Sequence, residues 1–262
     1  MTSPLVELFL YTGAVVAALM LGAWLASLPL KNASIADIVW GSGFVLIAWA
    51  TFFIVNRPPD LRQALLVGIP TLWGLRLSLH LFKRNRSKPE DERYKAMRAK
   101  HPGQFWLVSL VTVFGLQGLL MFVVSLPVQL GQLEPSAPMG WSAYAGLALC
   151  GVGLFFEVVG DWQLAQFAKN AANKGKTMNT GLWRYTRHPN YFGDSCVWWG
   201  LGLIALQTRY GAWGLLGSAL ITYLLTQVSG VPMLEKAMLK RNPAYKNYQA
   251  VTSSFIPWPP KK

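Results

Sequence analysis

The sequence predicts an all-α, polytopic integral membrane protein. Three observations carry that reading. The chain has 262 residues, of which 53% are hydrophobic and only 13% charged, with mean hydropathy +0.31. A soluble domain carries about 25% charged residues, and half that share cannot coat a water-facing surface. Seven apolar runs approach or exceed the roughly 20 residues that a helix needs to cross a bilayer. The basic residues, 24 against 11 acids, gather between those runs rather than within them, as lipid-bound chains require. This distribution excludes disorder, a typical soluble enzyme and a nucleic-acid-binding protein.

The runs are 5–28, 35–55, 61–82, 105–130, 141–167, 191–207 and 211–230. The first lacks a basic leader segment, so it is expected to be a span rather than a cleaved signal. The sixth is the shortest. Between the runs, 27–34 holds only Lys31, 56–60 only Arg57, 131–140 no basic residue and 208–210 only Arg209. By contrast 83–104 holds eight Lys and Arg, 168–190 five and the tail from 231 six. Every second gap therefore carries the charge. Seven spans then place the C-terminus in the cytoplasm, in a bacterial inner membrane or its equivalent, with the N-terminus outside. No internal repeat is visible, which argues against an inverted-repeat transporter. The whole chain, 1–262, reads as one domain, with a C-terminal half from about 105 to 262. Cys150 and Cys196 lie in apolar runs and are expected to be buried thiols.

Ionisable groups at membrane depth cost about 2.5–3.5 kcal/mol each unless partnered. Six are present: Asp37, Arg76, His80, Glu157, Asp161 and Asp194. Arg76 and His80 are four apart and share a helix face, as do Glu157 and Asp161. The two acids repel at that spacing, so a cation or hydrogen-bond donor is expected opposite them. Pro189 suits a first helical turn, which puts Asn190 and Asp194 on one face. Gly41 and Gly43 leave room for a backbone or a ligand to approach. The cations of 168–190, Lys174, Lys176, Arg184 and Arg187, together with His188, suit an anionic ligand. There is no G-x-G-x-x-G, Walker loop, H-E-x-x-H or C-x-x-C, so neither a Rossmann-type nucleotide site nor a metal site is expected.

The stretch Gly181-Leu-Trp-Arg-Tyr-Thr-Arg-His-Pro-Asn-Tyr-Phe-Gly-Asp194 resembles the C-terminal motif of the steroid 5α-reductase family. Gly160-Asp-Trp-Gln-Leu164, Ser229-Gly-Val-Pro-Met-Leu-Glu235, Asp37-Ile-Val-Trp-Gly41 and Glu90-Asp-Glu-Arg-Tyr94 look like the bacterial membrane branch of that family. The likeness is strong from Asp161 to Glu235 and weaker before residue 83. It implies a seven-helix membrane reductase that uses NADPH to saturate a carbon–carbon double bond conjugated to a ketone, in a steroid-like enone that enters from lipid. Asn190 and Asp194 match residues that hold the nicotinamide end, Asp161 a cofactor-binding Asp and Lys176 a phosphate-binding Arg. Asn85 and Lys88, in Asn-Arg-Ser-Lys-Pro, match a further family stretch. Arg93, Tyr94, Tyr185, Arg187, His188 and Glu235 complete the implied cofactor set. Trp40, Trp73 and His80 are expected beside the substrate.

The chain also departs from the family. The animal enzymes grip the ketone with a Glu on the second helix and a Tyr on the third, whereas the third run here has no Tyr and Asp37 is the acid nearest the Glu position. Val231 and Glu235 stand near the places of the family's C-terminal His and Tyr. The group that polarises the carbonyl is thus either Asp37, kept neutral by an apolar site, or a charged Arg76. A monomer with no nucleic-acid partner is expected. The rival reading is a membrane methyltransferase using S-adenosylmethionine. Arg187-His-Pro-Asn-Tyr191 with Tyr245 and Tyr248 also resembles the isoprenylcysteine carboxyl methyltransferases, although their usual paired tail glutamates are reduced here to Glu235.

Overall fold

The computed structural model describes residues 3–86, 88–135 and 138–261 and contains helices and no strand among them. Ser87, within the expected Asn85–Pro89 stretch, lies outside the described residues, as do Ser136 and Ala137. The first three runs form α1 (Pro4–Leu30), α2 (Ile35–Val55) and α3 (Leu61–Asn85). Asn56 ends α2 in the left-handed conformation at φ 43°, its N–H donating to the Phe52 carbonyl, a stop that asparagine tolerates. Asp60 starts α3 by accepting the Gln63 N–H at 2.8 Å. The basic segment that follows contains a short helix, α4 (Glu92–Lys100).

The fourth run is not one helix. It forms α5 (Phe105–Ser109), a π-helical turn (Leu110–Gly115) and α6 (Leu116–Val124), and then breaks at Ser125 before α7 (Leu126–Gln132). Pro127 lies in the first turn of α7. Having no N–H and a ring that clashes with the preceding turn, it restarts the helix instead of continuing it. The fifth run is α8 (Trp141–Lys169) and the sixth α9 (Pro189–Ala205), which begins at the expected proline. The last run forms α10 (Gly211–Tyr223) and a π-helical turn, bends at Ser229 and Gly230, and leads into α11 (Val231–Arg241) and the tail helix α12 (Tyr245–Val251).

Among the described residues six helical segments are long and apolar enough to cross a membrane: Pro4–Leu30, Ile35–Val55, Leu61–Asn85, Phe105–Val124, Trp141–Lys169 and Gly211–Arg241. Their outward faces are apolar, with Leu10, Phe53, Leu72, Val111 and Trp213 each more than half exposed. A surface of that kind is stable in lipid and not in water. At 17 residues α9 is at the lower limit for a crossing. It is the innermost helix, packed on α8, α10, α7 and α3. Small residues allow this. A Cβ on Gly193 of α9 would sit 2.5 Å from the Gly153 carbonyl oxygen of α8, and a Cβ on Gly153 equally close to that of Gly193, so only glycine permits the crossing. Gly41 of α2 meets the backbone of Gly74 of α3 in the same way, so the space at Gly41 is taken by a helix and not by a ligand. Cys150 and Cys196 are free and buried. The core centres on Phe44, Trp73 and Trp198, with ring centroids 4.6–5.5 Å apart. Trp40 packs edge-on against Phe44 at 5.2 Å.

Candidate functional site

The expected partner for the two acids of α8 is Arg76. One guanidinium nitrogen donates to Asp161 Oδ2 at 2.8 Å and the other to Glu157 Oε2. Trp73 Nε1 donates to Glu157 Oε1 at 2.8 Å, and His80 Nδ1 stands 3.7 Å from Asp161 Oδ2. Glu157 is buried, so this pairing offsets a desolvation cost that an isolated carboxylate could not bear. Trp73 is itself a core residue, and its one polar atom serves Glu157.

Asp37, in the first turn of α2, has a different cation. It accepts from Arg93 NH2 at 2.6 Å, from the Tyr94 hydroxyl at 2.8 Å and from Gln117 Nε2 at 3.3 Å, while Gln117 Nε2 also reaches the Tyr94 oxygen at 3.0 Å. In each of these bonds Asp37 is the acceptor, with a guanidinium beside it. The proton donor of the pair is Tyr94. Burial, reinforced by the Asp37 charge, pushes its hydroxyl pKa well above the usual tyrosine range, so it stays protonated at neutral pH.

The segment carrying Tyr94 is pinned to the α1–α2 turn. Glu90 accepts from the Ala33 N–H at 2.8 Å and from Arg98 at 2.7 and 3.0 Å, and the Asp91 N–H donates to Ser34 Oγ at 2.9 Å. Burial raises the Glu90 pKa, but the bonds from Arg98 and Ala33 outweigh it and hold the group below the ordinary value of 4.5. A depressed folded-state pKa adds stability above the unfolded value that is lost as pH falls. The thermal midpoint of the wild type should accordingly drop as pH is lowered below about 4.5, and Glu90→Gln should flatten that part of the profile and lower the midpoint at pH 7.

On α9, Asp194 Oδ1 is buried without a hydrogen-bond partner, as is Trp198 Nε1. Trp198 Nε1 bears on this carboxyl as a donor without forming a full hydrogen bond to it, and Arg76 acts on it electrostatically. Asn190 is half-buried, and its Oδ1 accepts the Tyr191 N–H at 3.1 Å. The Tyr191 hydroxyl lies within the electrostatic reach of Arg84, Arg93, Asp161 and Asp194. Residues from α2, α3, α4, α8 and α9 thus converge on one polar centre at the end of the bundle that carries the basic segments.

Three expected cofactor contacts have another task. Arg187 Nε donates to Glu235 Oε1 at 2.7 Å, its NH1 to the carbonyls of Gln249 and Thr252, and its backbone N–H to the Ser253 carbonyl. His188 Nε2 lies 3.0 Å from Glu235 Oε1, and Gln249 Nε2 donates to Glu235 Oε2 at 2.6 Å. Arg187, His188 and Glu235 clasp the tail onto the start of α9, which leaves His188 Nδ1 buried without a partner. Tyr185 is exposed, and its carbonyl accepts the Trp258 N–H at 2.9 Å. Lys176 and Arg184 line a cavity of about 1060 Å³ between the end of α8 and the tail, together with Asn179, Asn242 and Tyr248. Asn85 ends α3, with Lys88 exposed beyond it. A second cavity of about 490 Å³, lined by apolar side chains that include Phe9, Val16, Met20 and Phe114, opens between α1 and residues 110–122. Among the described residues no group of His, Cys, Asp and Glu is placed to hold a metal.

The sequence reading missed Gln117 and Tyr191. It weighed ionisable groups inside the spans, whereas a neutral amide at membrane depth is also costly and also marks a polar partner.

Residues 23–252 match the family described as "Protein of unknown function (DUF1295)", and the chain belongs to that family, a membrane family related to steroid 5α-reductase-like proteins. The chain is also similar to a Schizosaccharomyces pombe protein described as "Uncharacterized protein C594.04c", with 24% identity over 270 residues, covering 89% of this chain and 75% of the yeast protein. No solved structure matches it.

Proposed function

We propose that the chain is a seven-span membrane reductase, C-terminus in the cytoplasm, that uses NADPH to saturate the conjugated double bond of an apolar enone of the 3-oxo-Δ4-steroid kind. The observation that carries the reading is the polar centre itself: the Tyr94 hydroxyl held between Asp37 and Gln117, and on α9 an Asp194 carboxyl whose Oδ1 is buried without a hydrogen-bond partner. The residues fit the cofactor in two respects. Asp194 Oδ1 is a buried acceptor in need of a donor, which a carboxamide N–H supplies. Lys176 and Arg184 offer cations to phosphates beside a large cavity.

NADPH, when bound, supplies a hydride. The protein's own part is to orient and polarise. Tyr94, whose one O–H is donated to Asp37 in the free protein, would turn that proton to the ketone oxygen when substrate enters, which draws electrons from the β-carbon and makes it electrophilic. Asp37 and Gln117 hold the position of the Tyr94 oxygen. Arg76 holds the two acids of α8 in place through its guanidinium. The apolar cavity beside α1 is open to lipid and suits the passage of an apolar substrate.

Ligand-induced stabilisation separates this reading from the methyltransferase one. NADPH should raise the thermal midpoint of the detergent-purified protein, S-adenosylmethionine should not, and Asp194→Ala should abolish the NADPH effect. A response to S-adenosylmethionine alone would overturn it.

A further inference from the structure

Far from the polar centre, where the α2–α3 turn meets the end of α7, a second group of polar side chains is buried and underpartnered. Arg62 and Gln63, in the first turn of α3, are 0% exposed. Arg62 NH2 donates to the Glu134 carbonyl at 2.6 Å, but its Nε and NH1 have no partner. Arg57 NH1 pairs with Asp60 Oδ2 at 2.6 Å, while its Nε and NH2 have none, and neither side-chain atom of Gln63 has one. Arg57, Asp60 and Glu134 all act electrostatically on Arg62, so these groups are neighbours. Arg62 and Arg76 are 14 residues apart on one helix, about 21 Å at 1.5 Å per residue, which puts this group well away from the Asp37–Asp194 centre.

The unmet hydrogen bonds are lopsided. Four guanidinium nitrogens and the Gln63 amide nitrogen are donors, and Gln63 Oε1 is the one acceptor among these three residues. Water is a poor answer, because each molecule brings hydrogens that would need acceptors of their own. A ligand that only accepts resolves the missing bonds, and negative charge on it strengthens them. We infer that Arg57, Arg62 and Gln63 form a site for a phosphate-type oxyanion. The fork geometry of two guanidinium groups suits such a ligand. Its level in the bundle, among the short connecting turns, allows the oxyanion to be either a lipid headgroup or a free phosphate.

The test uses the full-length protein and reads its thermal midpoint. One arm compares inorganic phosphate with chloride at equal ionic strength in a non-ionic detergent. The other compares nanodiscs of phosphatidylglycerol with nanodiscs of phosphatidylcholine. At least one of the two additions should raise the midpoint by about 3 °C or more. Phosphate acting in detergent identifies the free ion, and phosphatidylglycerol acting alone identifies the lipid. The shift should vanish in Arg57→Gln and in Arg62→Gln and survive in Lys176→Gln, which alters the other basic cavity. If Arg62→Gln does not fold, Arg57→Gln, in the turn before α3, still decides. No shift in either arm, or a shift that persists in Arg57→Gln, overturns the inference.

Discussion

Replacing Arg76 with glutamine should lower the thermal midpoint by about 8 °C, the equivalent of roughly 3 kcal/mol for a chain of this size. The size of the effect comes from what is left behind. Glu157 has a side-chain exposure of 3% and Asp161 of 14%, and Arg76 is the cation that both acids share. Without it two carboxylates four residues apart face each other, with Trp73 Nε1 donating to one of them. Breaking one side of a buried pair leaves an uncompensated charge, whereas removing both sides costs less. The double variant Arg76→Gln with Glu157→Gln should therefore recover part of the loss, a coupling that a purely local packing effect would not give. The exposed pair Lys95–Glu92, at 2.8 Å, is the control. Lys95→Gln should move the midpoint by about 1 °C or less, because solvent-exposed ion pairs contribute little.

Removing the Tyr94 hydroxyl should slow turnover by about 100-fold or more, within the range expected when a positioned proton donor is lost. The reason lies in the same hydrogen bonds that make the group a donor. Tyr94 is buried, its hydroxyl faces the Asp37 carboxylate, and Gln117 holds it from the other side. Tyr94→Phe keeps the ring and its packing, so stabilisation by NADPH should be retained while kcat falls. Asp37→Asn should fall between Tyr94→Phe and the wild type, since asparagine still accepts a hydrogen bond but no longer balances Arg93. Equal loss of NADPH stabilisation in Tyr94→Phe would assign this hydroxyl to cofactor binding, as the sequence reading has it.

Much of the helical plan is legible in the sequence because lipid imposes a simple rule: apolar runs of sufficient length become helices. α2 begins and ends where its run does. The break at Ser125 and the two π-helical turns are not legible, because they change hydrogen bonding without changing hydropathy. Within the site, helical spacing puts Glu157 and Asp161 on one face and demands a cation there, and Arg76 meets the demand. Spacing says nothing of pairings between distant elements. The partners of Asp37 come from 56, 57 and 80 residues away. The Arg187–Glu235 clasp spans 48 residues. In a motif such as Arg187-His188-Pro189, a structural clasp and a ligand contact are written in the same letters, and geometry alone separates them.

The most direct measurement is of hydrogen transfer by the purified protein. Incubation with deuterium-labelled NADPH and a 3-oxo-Δ4-steroid such as progesterone or testosterone, followed by mass spectrometry, should give a product heavier by one deuterium and one hydrogen, with the deuterium on the β-carbon. Enone returned unchanged across a panel of apolar acceptors, alongside methyl transfer from S-adenosylmethionine to a lipid-soluble acid, would contradict the account.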